Sequence, residues 1–185
     1  MKFITLTIFI LFSSIVINAQ QFEPKWIGSA NVLEIDGDTI SQPLEKANVK
    51  LKTSHSAGKL IFGIGNTRTK CIIAGTKSPV SVKMAKPFAI IVKCKNNESD
   101  PSTFIQVIKL ERTKNERLTE LANMNWLETV TEGNMELIPF EADSYGKSSY
   151  ILTFPEIIFG EYAVRILNPD NEDEKIPLFL CFGLY

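Results

Sequence analysis

Short runs of alternating apolar and polar residues, closed by proline, glycine or Asx-rich turns, recur along the chain and predict strands. In NVKLKT, Val49 and Leu51 take one face and Lys50 and Lys52 the other. PFAIIVKCK sets Phe88, Ile90, Val92 and Cys94 inward against Lys93 and Lys95, and EYAVRI sets Tyr162, Val164 and Ile166 against Glu161 and Arg165. Such period-two patterns describe sheets with one wet face. Strands are expected near 26–35, 46–53, 59–64, 68–73, 86–95, 103–112, 134–142, 148–154, 161–167 and 176–184. Turn chemistry separates them at Asp36-Gly37-Asp38, Gly63 to Asn66, residues 96–101, Tyr145-Gly146-Lys147 and residues 168–175. IPLFLCFGLY is apolar on both faces, which predicts a strand covered on both sides, by a neighbouring subunit or a partner. The stretch 116–130 breaks the pattern: Leu118, Leu121, Ala122 and Trp126 are spaced partly like one short helix, while the flanking ERTKNER could equally close a hairpin, and both readings stay open. The class that follows is all-β, a two-layer antiparallel β-sandwich.

The first residues change the picture of where this body resides. Lys2, an apolar run from Phe3 to Ile17 and a small residue at Ala19 compose an export signal over residues 1–19. The run is shorter than the roughly 20 apolar residues of a spanning helix. Residues 20–185 are then expected to form a single domain without a membrane span, in the periplasm, on the outer surface or in the medium. Lys and Arg number 20 against 21 Asp and Glu, so no overall basic field favours nucleic acid. Three cysteines, Cys71, Cys94 and Cys181, leave three single disulfide pairings and a fully reduced set open, all within strand-like runs.

Little in the chain encodes local chemistry. His55 is the only histidine and lies in a polar turn without a G-x-S-x-G elbow to serve. Ser56 to Lys59 and Ser144 to Lys147 fit S-x-x-K, but both copies contain glycine and read as turns. Gly63 and Gly65 lack the companions of a phosphate loop. The run Asp170 to Glu174, and Asp36 with Asp38, offer oxygen ligands without EF-hand spacing, so no metal is assigned. No catalytic residue and no cofactor are assigned either. Trp26, Trp126, Tyr145 and Tyr150 are the candidates for an aromatic platform facing sugar rings.

PEIIFGEYAVRI resembles the L-x-P-G-x-Y corner of Greek-key, Ig-like sandwiches, in which a tyrosine turns its hydroxyl back to the upstream backbone. Gly160 and Tyr162 are the corner residues by that resemblance, although Phe159 stands where proline is frequent and no cysteine follows two residues after Tyr162. The order CIIAGTKSP, PFAIIVK, DPSTFIQVIKLE, YILTFPEIIFGEYAV, FGLY is similar to a secreted bacterial domain of uncharacterised proteins. That resemblance implies a sandwich ending in its last strand, and no catalytic residues. Asp38-Thr39-Ile40 resembles a short acceptor for O-glycosylation in some exported bacterial proteins. The function expected is an exported, non-catalytic binding or assembly module whose partner is a protein or a glycan. Its rivals are a hydrolase with convergent carboxylates and a subunit of a surface filament or envelope complex.

Overall fold

A computed structural model describes residues 22–36, 38–56, 66–124, 130–132, 135–167 and 178–185. In chain order its strands are β1 (Ala30–Asp36), β2 (Asp38–Pro43), β3 (Glu45–Ala47), β4 (Val49–His55) and β5 (Thr67–Ala74). Then come β6 (Ser81–Val82), β7 (Phe88–Lys93), β8 (Ile105–Arg112), β9 (Glu116–Met124) and β10 (Val130–Glu132). The last are β11 (Glu136–Leu137), β12 (Glu141–Tyr145), β13 (Ser149–Thr153), β14 (Gly160–Ile166) and β15 (Phe179–Leu184). The fold is all-β, with two antiparallel sheets, consistent with a β-sandwich. The exception in direction is the two-residue β6, which runs parallel to β15. Among the described residues no helix is long and apolar enough to cross a membrane.

The chain resolves into two compact units, each drawn from three stretches of sequence. The first takes the described residues of Met1–Leu44, Ala85–Thr103 and Phe140–Pro155. Its sheet runs β12-β13-β7-β1-β2. The central β7 buries Ala89, Ile90, Ile91 and Val92 in succession, so it is covered on both faces, where alternation had predicted one wet face. Lys93 is accordingly not a water-side lysine: its ammonium sits 2.5 Å from the Glu23 carboxylate. The expected turn at 145–147 is present, with Gly146 at φ 58°, a left-handed angle that favours glycine. Glu23 Oε1 accepts the Lys147 N–H at 3.2 Å, tying that turn to the same ion pair.

The second unit takes the described residues of Glu45–Met84, Phe104–Pro139 and Glu156–Tyr185. Its sheet runs β3-β15-β14-β8-β9-β5-β4, with β6, β11 and β10 added to β15, β8 and β9. β8 and β9 pair only near their turn, at Glu111↔Leu118 and Arg112↔Arg117, after which β9 continues along β5. One apolar cluster joins Ala47, Phe179 and Cys181 with Ala163, Ile108 and Leu110, and also with Cys71 and Ile73 from the far end of the strand order. The sheet therefore doubles over its own core.

One open reading is decided and one expectation corrected in this unit. Of the two readings of 116–130 the hairpin holds where the residues are described: β8 turns into β9 through ERTKNER, and residues 116–124 are strand and not helix, because Arg117 and Thr119 alternate into the interior while the backbone pairs with β5. The remainder of that stretch, with Trp126, includes residues outside the described set. IPLFLCFGLY supplies β15, buried in all six strand residues and flanked by β14 on one side and β3 on the other. Its two apolar faces are thus covered within the chain itself, with no partner needed to bury them.

Candidate functional site

The strands bring one ionic cluster together in the second unit, and the sequence reading missed it. Glu161 was expected on the water side of β14, yet it is buried, because β14 is a central strand packed on both faces. Arg117 on β9 is 0% exposed. Its guanidinium forks onto Glu45, with Nη1 donating to Oε2 at 2.9 Å and Nη2 to Oε1 at 3.1 Å. Nη1 also donates to Glu161 Oε2 at 3.4 Å, Nε to the Gly75 carbonyl at 3.2 Å and Nη2 to the Ala74 carbonyl at 3.4 Å. Those bonds use all of the donors a guanidinium owns. Burial acts to lower the Arg117 pKa, but the bonds to Glu45 and the nearby negative groups outweigh it and hold it above its ordinary value.

Glu161 is equally occupied. Its Oε2 accepts the Ser78 N–H at 2.8 Å, and its Oε1 accepts the Tyr185 hydroxyl. The Tyr185 ring lies beneath the Lys77 ammonium, 4.4 Å from its centroid. Gly183, opposite Glu161 on β15, leaves room for this arrangement. A Cβ there would stand 2.5 Å from the Tyr185 ring and 3.0 Å from Glu161 Oε1. Glu45 and Glu161 therefore converge, as two carboxylates of a hydrolase would, but around a guanidinium and with both oxygens of Glu161 bonded internally. The cluster fastens β3, β9, β14 and the segment after β5; it offers a substrate no free acid on Glu161.

The corner residues are placed side by side. The Tyr162 hydroxyl donates to the Ile158 carbonyl at 2.5 Å, and the ring stacks on Phe182 with centroids 5.4 Å apart. Burial raises the Tyr162 pKa, partly opposed by that hydrogen bond. Gly160 is not among the described glycines with positive φ, and a Cβ on it would meet the Tyr162 ring at an ordinary 3.5 Å. The bend here does not depend on glycine's conformational freedom.

The described platform candidates differ in exposure, and Trp126 lies outside the described residues. Tyr150 is 2% exposed and its hydroxyl donates to the Ser99 carbonyl at 2.6 Å, so its ring has no open face. Tyr145, on β12, is half-buried. Trp26 is 63% exposed and Ile27 67%, adjacent on a turn of the first unit. That turn is built: Gly28 adopts φ 75° and donates to the Lys93 carbonyl at 2.9 Å, while the Ser29 N–H returns to the Trp26 carbonyl at 3.1 Å. The Lys25 ammonium stands 4.9 Å from the Trp26 ring centroid.

The remaining candidates are quickly placed. His55 is exposed at the end of β4 and meets Thr67 Oγ1 at 3.0 Å. Cys71, Cys94 and Cys181 are free and buried. Burial pushes the Cys71 and Cys94 thiols up to about 11 and the Cys181 thiol up to about 12. Gly63, Gly65 and the acidic run 170–174 lie outside the described residues. Asp36 and Asp38 pair across the β1–β2 hairpin. Among the described residues no group of three or more His, Cys, Asp or Glu gathers as metal ligands would. Comparison with known protein families, with curated proteins and with solved structures finds no match.

Proposed function

We propose that the chain is an exported, non-catalytic binding or assembly module of a bacterial envelope or surface, with a protein or a glycan as its partner. Export is supported by the charge, apolar run and small residue that open the sequence. Binding rests on one observation: the Trp26–Ile27 turn, which holds a large aromatic ring and an aliphatic side chain in water on a hydrogen-bonded frame. A preformed turn orders the contact residues before binding and so lowers the entropy lost on association. Tryptophan also suits a contact role, through its area, its polar edge and its flat face for sugars.

The test is a panel of glycans and surface proteins read by tryptophan fluorescence, with glycosides, esters and peptides offered in parallel as substrates. A saturable signal is expected from the native chain and not from Trp26→Ala, with the melting temperature unchanged. Turnover of any substrate that ceases when one carboxylate is replaced would overturn the reading.

A further inference from the structure

Two glutamines, Gln20 and Gln21, stand directly after Ala19, the small residue at which the export signal is expected to end. Removal of residues 1–19 would leave Gln20 first, with a free α-amino group. A glutamine in that place carries its own electrophile, because the amine reaches the side-chain carboxamide through a five-membered ring. An α-amino group loses its proton near about pH 8, so an uncharged, nucleophilic share exists close to neutrality. The amine nitrogen bonds to Cδ, the bond from Cδ to Nε2 breaks, and ammonia leaves with the proton that the amine gives up. The product is a lactam with neither charge nor free amine. No oxidant, reductant or second substrate enters the step. The doubled glutamine covers a shift of the cut, since cleavage after Ala19 or after Gln20 leaves a glutamine first in either case.

The structure adds what lies just beyond. From Phe22 onward the chain is fastened to the first unit: the Phe22 carbonyl accepts from Asn31 Nδ2 at 3.3 Å, and that nitrogen also donates to Ser41 Oγ at 3.1 Å. Glu23 is held by the Lys93 ammonium at 2.5 Å and by the Lys147 N–H at 3.2 Å, and Pro24 is buried. The fit is close, since a Cβ on Gly146 would run into Glu23 Oε1. A terminus at residue 20 therefore lies two residues ahead of a fastened strap. Stepwise trimming from an open terminus would reach Glu23 after three residues and release its hold on Lys93 and the 145–147 turn. A lactam offers an aminopeptidase no amine to grip. It also adds no charge beside Lys25, Lys93 and Lys147, where the strap's acid, Glu23, is already taken by Lys93. We infer that the mature chain begins with pyroglutamate, formed from the first glutamine that the cut leaves, and that this closed terminus guards the Glu23 strap. The inference rests on the export half of the proposed function.

The test exports the full chain, with residues 1–19 in place, from a Gram-negative host and reads its intact mass and its N-terminal sequence. Expected is a chain that begins at residue 20 or 21, lighter by one ammonia, and silent to Edman sequencing until pyroglutamyl aminopeptidase removes the first residue. A general aminopeptidase should leave that chain whole, whereas Gln20→Ser/Gln21→Ser should be exported open and trimmed toward Glu23. A cleaved native chain with a free glutamine amine would overturn the inference and leave export standing, as would a cut that leaves a different residue first. A block that persists in the serine variant would overturn it too, because closure would then need no glutamine. An uncut chain would remove the export reading and this inference together.

Discussion

At the scale of single residues, Tyr162 and Gly160 part company although they sit in one motif. Tyr162→Phe removes the donor to the Ile158 carbonyl and keeps the ring stacked on Phe182. It should cost about 1 kcal/mol in urea unfolding, the ordinary net worth of one hydrogen bond. Gly160→Ala should change stability by less than about 0.5 kcal/mol, since no positive φ is lost and the new methyl meets only ordinary contacts. A large loss in the alanine variant would show that the corner does use glycine's freedom. Arg117 lies at the other extreme. Arg117→Met leaves the buried Glu161 without its counter-charge and should cost about 3–5 kcal/mol. Glu45→Gln should cost clearly less, because Glu45 is partly exposed and Arg117 keeps its bonds to Glu161, Gly75 and Ala74. Equal losses from the two changes would mean that the fork to Glu45 carries the cluster.

At the scale of elements, the strands that alternate or run apolar were legible, and of the two readings of 116–130 the helix was not the right one where the residues are described. The spacing of Leu118, Leu121 and Ala122 could not show that Arg117 turns inward, where three segments of distant sequence converge to satisfy it. Glu161 was misread for the same reason, since no local pattern announces a partner on another strand. β2 went unread because DTISQP is mostly polar, as an edge strand can be, and ends in proline. For the platform, residue type was visible but exposure was not; Tyr150 and Trp26 are both aromatic, and only the fold distinguishes a buried ring from an open one. The β12–β13 turn yields a pH prediction at this scale. Burial would raise the Glu23 pKa, but Lys93, Ser149 and the Lys147 N–H together hold it below the usual carboxylate range. A depressed folded-state pKa contributes stability above the unfolded value and loses it as pH falls through the folded value. Acid unfolding should therefore be shallower in Glu23→Gln below about pH 4.5, while the native chain and the variant run parallel near neutrality. Parallel curves throughout the acid range would remove Glu23 from the turn's energetics.

At the scale of the whole molecule, each unit draws on three separated stretches of chain, so neither can be excised as one contiguous fragment, and a probe of each must be read in the intact protein. The cysteines provide such probes, Cys94 in the first unit and Cys71 and Cys181 in the second, all of them buried. The reacting species is the thiolate, and burial both hides the sulfur and raises the pKa to about 11 for Cys71 and Cys94 and to about 12 for Cys181. At pH 8 all three should react with a thiol reagent more than about a hundredfold slower than a free peptide thiol, and at the free rate once denaturant opens the chain. The same shifts fix the alkaline behaviour. A thiol whose folded-state pKa is raised contributes stability that is complete below the unfolded pKa and is lost as pH rises toward the folded one. Stability should fall between about pH 9 and 11, and Cys181→Ala should flatten that fall even though its cavity lowers stability at pH 7. Cys94 alone, in the Cys71→Ala/Cys181→Ala background, then reports opening of the first unit, and Cys181 alone reports the second. Fast labelling of either one in native buffer would contradict its buried, protonated state and would place that part of the core in exchange with solvent.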